Sequence, residues 1–180
     1  MNEQTRSTWK IDAGHSAIRF KVKHLAIANV LGTFIAFDGT AQTDQDDFDG
    51  AQVAIDIDVN SLSTNNEVRD THLKSDSFFN VQQFPKLAFR GTLYKVTDDY
   101  ELDGELTIRD TTKPVKLDVA FTGTGKGRFG DDRAGFELSG QLNRTDFGLT
   151  WSMLTETGSL VVGEDIKLNM DIELIKEVAD

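Results

Sequence analysis

The chain has 180 residues, 38% of them hydrophobic and 27% charged, which is the composition of one ordinary globular domain spanning residues 1–180. Its net charge of −11 argues against a nucleic-acid surface and disfavours adsorption to an anionic membrane through a basic patch. With no cysteine, it excludes disulfide scaffolds, thiolate nucleophiles and cysteine-based zinc sites. The first residues lack the apolar run of a signal peptide, so the expected compartment is cytoplasmic as written, or periplasmic if a leader was removed. No segment approaches the ~18 apolar residues that would mark a membrane span.

Taken in chain order, the elements alternate apolar and polar residues with a period of two, the mark of half-buried strands. Ile18, Phe20, Val22 and His24 share one face, opposite Arg19, Lys21 and Lys23. A second strand is expected near 33–42, followed by Asp44, Asp46, Asp47 and Asp49, which read as solvated turn charge. Val53, Ile55, Ile57 and Val59 alternate with polar neighbours, and a further strand lies near 86–97. Leu102, Leu106 and Ile108, then Val115, Leu117, Val119 and Phe121, then Phe136, Leu138 and Leu142 repeat the pattern. The run Ile166, Leu168, Met170, Ile172 and Leu174 closes the series. Asp98–Asp99 and the glycine-rich run 123–130 read as hairpin connections.

That makes about eight antiparallel strands, each with one apolar face. A sandwich or an up-and-down barrel satisfies the pattern, and only barrel closure removes the edges. An eight-stranded barrel either fills itself with side chains or holds one slender ligand. Gly91, Gly104 and Gly140 fall inside strand patterns, where they mark bends or make room in a lumen.

The stretch Ser61–Phe89 interrupts the alternation between the third and fourth strands. Thr64-Asn65-Asn66-Glu67 fits a capping box with Thr64 as N-cap, predicting a short helix from Asn65 to about Leu73. Val68, Leu73, Phe78, Phe79 and Phe84 supply apolar surface to seat it, and Pro85 ends the excursion.

Chemistry-bearing residues are few. His15, His24 and His72 show no metal-ligand spacing. Alternation places His24 inward, where it needs a hydrogen-bond partner or a ligand head group. Ser16 beside His15 faces the other side of its strand, and no nucleophile elbow is present. Gly123-Thr124-Gly125-Lys126-Gly127 lacks the spacing of a phosphate loop. Asn143-Arg144-Thr145-Asp146-Phe147-Gly148 contains a glycosylation sequon; its Arg144 and Asp146 read equally as a turn ion pair or as residues of a barrel mouth.

In order along nearly the whole chain, several of these segments resemble the YceI-like family, bacterial lipocalin-like polyisoprenoid binders. They are WKIDAGHSAIRFKVKH from Trp9, VLGTFIAFDG from Val30, SLSTNNEVRDTHLKSDSFFN from Ser61, FPKLAF from Phe84, GELTIRDTTKPV from Gly104 and NRTDFG from Asn143. One departure is Arg109-Asp110-Thr111, where members carry a glycine-containing turn. Another is the absence of an export signal.

The resemblance implies an all-β, eight-stranded antiparallel lipocalin-like barrel with one short helical insert. It implies binding of a long-chain isoprenoid or related lipid such as a quinone tail, for carriage, storage or protection. The expected lumen residues are Ile18, Phe20, Val22, Val53, Ile55, Ile57, Leu106, Ile108, Val119, Phe121, Leu138, Leu168, Met170 and Ile172. Polar structural or head-group contacts are expected from His24, Arg69, Asp70, His72, Arg144 and Asp146. No catalytic residue, metal or cofactor is expected beyond the lipid itself, and no nucleic acid or integral membrane segment; a homodimer stays open. The rival readings are a histidine-based metal or enzyme site and a ligand-free interaction module with a filled lumen.

Overall fold

The computed structural model describes residues 6–44, 47–154 and 161–178. Eleven strand segments are joined edge to edge in one antiparallel sheet. β1 (Ser7–Ile11) and β2 (Ala17–His24) follow one path, broken by a 3-10 turn at Ala13–His15. β3 (Ala28–Phe34) and β4 (Phe37–Thr43) form a second broken strand. β5 (Gln52–Asp58) and β6 (Leu62–Ser63) form a third. After helix α1 (Glu67–Lys74) come five unbroken strands: β7 (Lys86–Val96), β8 (Asp99–Ile108), β9 (Thr111–Lys126), β10 (Asp132–Asn143) and β11 (Val162–Lys176). Eight strand paths therefore run up and down in chain order.

The long last strand closes the ring. β11 pairs with β10 along one edge; along its other edge it pairs with β1 (Trp9↔Lys176) and β2 (Phe20↔Leu168). Closure pairs the ladder edges that would otherwise template association. The helical insert lies between the third and fourth paths, as the sequence predicts.

Each broken strand has a local cause. Asp12 caps the Ala13–His15 turn by accepting from the Gly14 N–H (3.1 Å), and Asp58 caps the turn at Val59–Ser61 through the Asn60 N–H (2.9 Å). Both are short polar side chains that compete with the ladder for backbone donors. The glycine-rich run corrects the sequence reading. Gly123 to Lys126 continue β9, and the reversal comes later, where the Gly127 N–H donates to the Asp131 carbonyl (2.8 Å). The in-strand glycines also do not leave empty room. A Cβ on Gly104 would strike the Arg90 carbonyl at 2.3 Å and the Phe89 ring at 2.7 Å, because β7 and β8 press together there.

The two ends of the barrel differ. At the lower end, the chain after β4 folds Phe48 under the strands, 4% exposed, against Trp9 (centroids 5.1 Å), Phe136 (5.0 Å) and Phe121 (6.4 Å). The Phe48 N–H donates to the Tyr100 hydroxyl (3.3 Å), and Asp47 and Asp49 both bond Lys95. Asp44 and Asp49 are exposed as expected for turn charge, whereas Phe48 among them is a plug; Asp46 lies outside the described residues. The upper end carries α1, the β2–β3 and β8–β9 turns and the segment after β10.

Candidate functional site

The inward side chains of the upper half enclose a cavity of about 150 Å³. Its walls include the predicted Ile18, Phe20, Val22, Ile55, Ile57, Leu106, Ile108, Leu138, Leu168 and Met170. Inward apolar residues here, such as Phe20, Val22, Ile57, Leu106 and Leu168, are only half-buried, because they face space rather than one another. Val53, Val119 and Ile172 instead line a lower void of about 40 Å³. Phe121 lines neither and belongs to the aromatic plug. Ile55, Leu102 and Leu138 border both spaces and so form the partition between them.

Leu73, Phe78 and Phe79 of the insert cover the upper cavity. Helix α1 begins two residues later than the capping box predicts. Its N-cap is Asn66, whose side chain accepts from the Arg69 N–H (3.0 Å), while Asn65 takes a left-handed φ of 60°. Thr64 has another task. Buried at the end of β6, it gives its N–H (2.9 Å) and hydroxyl (2.5 Å) to Asp70, and accepts from Arg69 Nε (2.7 Å) and, at its carbonyl, Nη2 (2.8 Å). Arg69 and Asp70 thus fasten the helix to the barrel wall.

Arg109 fastens the far side. Its φ of 56° is a left-handed conformation suited to glycine. From that turn its guanidinium donates to the Phe78 carbonyl (3.2 Å) and lies over the Phe84 ring (5.8 Å).

Among the described residues, Arg144 is the one charged side chain in the cavity wall, and it is 3% exposed. Of the two readings of Arg144 and Asp146, the turn ion pair does not form: Asp146 is exposed in the Arg144–Phe147 turn. Arg144 donates instead to the carbonyls of Gly163 (2.8 Å), Leu149 (2.6 Å), Trp151 (2.8 Å) and Val162 (3.3 Å). Burial draws its pKa down, with Glu164 pulling the other way. Four of its five donors are spent on backbone, which ties the segment after β10 to the start of β11. The Asn143 side chain accepts from the Thr145 N–H (2.9 Å) and hydroxyl (2.6 Å), so the sequon residues cap this turn.

The histidines do not converge. His72, on helix α1, sits edge-on to Phe78 (5.2 Å) and Trp151 (4.8 Å), and Arg144 lies over the same Phe78 ring (5.9 Å). His24 keeps the inward register expected of it but stands exposed at the rim, beyond the last lumen residue Val22. His15 is on the outer wall, bonded to Asp12 (2.7 Å). Asp12, His15 and Glu173 are the one described group with metal-ligand spacing, yet Arg133 Nη1 already bridges Asp12 (2.8 Å) and Glu173 (2.7 Å) there. Among the described residues, the metal reading therefore finds only a carboxylate pair occupied by the protein's own cation.

Phe48, Trp151 and the role of Arg144 escape sequence reasoning. A lone Phe between aspartates and a lone Trp in an irregular segment carry no periodic signal; the NRTDFG motif marks the position of Arg144 but not its partners.

Comparison with known proteins agrees with this architecture. The model of the YceI-like domain matches residues 9–174. The UPF0312 protein ECA1782 of Pectobacterium atrosepticum is 37% identical over 91% of this chain and 82% of its own. The YCEI protein of Campylobacter jejuni superimposes with a TM-score of 0.71 at 32% identity, over 88% of this chain and 91% of that one. A polyisoprenoid binding domain from Saccharophagus degradans shares the fold, with a TM-score of 0.68 at 14% identity over 94% and 98% of the two chains. The chain belongs to the YceI-like family.

Proposed function

We propose that the barrel binds a long-chain isoprenoid or related lipid, such as a quinone tail, and carries, stores or shields it without catalysing a reaction. The observation that carries this reading is the 150 Å³ upper cavity, walled by aliphatic and aromatic side chains. A cavity of that size and lining stays dry and admits an apolar guest of benzene size. The resting space thus suits the first part of a chain, and Ile55, Leu102 and Leu138 close it off from the lower void. At about 0.8 kcal/mol per buried CH₂, each five-carbon unit gains roughly 3–4 kcal/mol before entropic and desolvation costs. Hydrocarbon walls give affinity of this kind with little directional demand.

The polar end of such a ligand would lie beneath the cover, where Arg144 lines the cavity and has one donor left. The likeness to a polyisoprenoid binding domain is in accord with this reading. The hollow upper half also stands against the rival of an interaction module with a filled lumen.

Organic extraction and mass spectrometry of protein purified from its own host test the proposal. The expected result is a stoichiometric isoprenoid-type lipid, depleted at least tenfold in Leu106→Trp, whose indole would occupy the cavity. Protein that emerges lipid-free, and takes up no isoprenyl quinone when mixed with one, would refute it.

A further inference from the structure

The charge of this acidic chain is unevenly placed. From Ala13 to Phe37 there is no Asp or Glu, while Arg19, Lys21 and Lys23 all fall within the stretch. These residues build β2, β3 and the turn between them, at the mouth of the cavity. Register pairs Lys21 with both Leu31 and Lys167, and the three line one shallow groove on the outer wall. Lys23 follows two residues nearer the tip. Among the described residues none of Lys21, Lys23 and Lys167 forms an ion pair, whereas Arg19 is tied to Asp171 (2.8 Å). The acids next along β11 are Glu164 and Asp165, in the bulge that opens it.

The turn itself is costly in backbone terms. The Ile27 N–H donates to the His24 carbonyl (3.2 Å), and both residues in between, Leu25 and Ala26, have left-handed φ of 53° and 60°. Asn-Gly would hold such a turn with far less strain. The chain instead places apolar residues there and leaves Ile27 83% exposed. The Leu25 N–H donates to the Val161 carbonyl (2.9 Å), and the Val161 N–H to the Met153 carbonyl (2.9 Å). The tip is thereby joined to Met153 and Leu154, 55% and 62% exposed. Just inside, Val22 and Val162 line the cavity.

An exposed apolar tip, a basic flank and a covered apolar lumen meet at one end of this acidic chain. We propose that this end is a membrane-docking surface. Leu25, Ile27, Met153 and Leu154 enter the headgroup boundary of a bilayer, and Lys21, Lys23 and Lys167 face anionic headgroups. The acidic remainder is repelled, which turns the mouth toward the bilayer. A lipid chain then passes between bilayer and lumen without crossing water. The inference rests on the lipid-binding reading of the lumen and adds its partner, a lipid surface.

Flotation of the whole protein with vesicles tests it, using phosphatidylcholine alone and phosphatidylcholine mixed with phosphatidylglycerol. The wild type is expected to float with both and more with the mixture. Ile27→Asp, at an exposed position, should lower flotation about tenfold on either. Lys21→Gln and Lys23→Gln should each lower it about fivefold on the mixture only, the worth of one lysine near an anionic surface. Leu25→Asn combined with Ala26→Gly should raise the thermal midpoint while lowering flotation, which a purely structural turn would not do.

Wild type that stays in solution with both vesicles would overturn the proposal, as would Ile27→Asp floating undiminished. So would a stable dimer in light scattering that Ile27→Asp dissolves, since the tip would then be a contact between copies of this chain. The lumen is read separately, by extracting Ile27→Asp from its host. Lipid retained without flotation of the wild type refutes docking alone; flotation with an empty lumen refutes the lipid reading alone.

Discussion

The upper and lower halves of this barrel are built from the same alternating strands, yet one is hollow and the other is filled. In the lower half the inward residues Leu93, Val119, Phe136, Ile172 and Leu174 are buried against one another and against the plug of Phe48, Trp9 and Tyr100. In the upper half their counterparts Phe20, Val22, Ile57, Leu106 and Leu168 stay half-buried around a cavity. The difference comes from what the connections supply. The chain after β4 sends a phenylalanine into the lumen, whereas the insert at the other end lays Leu73, Phe78 and Phe79 across the top as a cover. Loops, not strands, decide which half is core and which is receptacle.

The comparison breaks most sharply at Phe48. Replacing it by alanine should lower stability by about 3–5 kcal/mol, the usual cost of truncating a buried phenylalanine. Denaturant unfolding measures this, and the lower void should take up small apolar guests that the wild type refuses. The opposite change, Leu106→Trp in the hollow half, should cost less than about 1.5 kcal/mol, because the added ring enters space instead of overpacking a core. A loss as large as that of Phe48→Ala would mean the upper half is core after all.

Acid should separate the halves in the other direction. Asp47 is held below its ordinary pKa by Lys95, Asp131 by Arg133 and Asp132 by Lys126; Asp12 is held down by His15 first and then by Arg133. Carboxylates with depressed folded pKa values contribute stability that is complete above their unfolded value near 4, and that is lost as the pH falls through the folded values. Asp47, Asp131 and Asp132 stand at the lower end. Hydrogen exchange below about pH 4 should therefore release the amides of 47–51 and 127–132 before those of 64–84.

A smaller effect is expected at Arg109. Glycine there would relieve a left-handed strain of roughly 1–2 kcal/mol while losing the Phe78 and Phe84 contacts. The thermal midpoint should move little. Exchange of the 75–84 amides should nevertheless quicken, because the cover has lost its far fastening.

Much of this was legible before the structure. Alternation alone marks six of the strand paths, and it gives the inward residues of both halves without saying which half is empty. Closure is made by β2 and β1 together against β11, and of the two only β2 shows an alternation; β1 is too short and too soon broken by Asp12 to announce itself. The helix is expected at nearly the right place, but Thr64 is drawn from the N-cap by Arg69 and Asp70, five and six residues on, which no local capping rule contains. His24 has the right register and the wrong surroundings, since a strand's face says nothing of where the barrel ends. Arg144 reads equally as half of an ion pair or as a barrel-mouth residue, because a sequence shows the neighbouring carboxylate of Asp146 but not four carbonyls arriving from 149 to 163. Phe48 is hidden by the charges on either side of it.

The most direct test of a hollow half above a filled one is the affinity for isoprenyl quinones of increasing chain length, followed by quenching of Trp151 beside the cavity with Trp9 replaced by phenylalanine. Affinity is expected to climb with each five-carbon unit until the upper space is full, then level off at the partition of Ile55, Leu102 and Leu138. Affinity independent of chain length, or no binding at any length, would contradict the account.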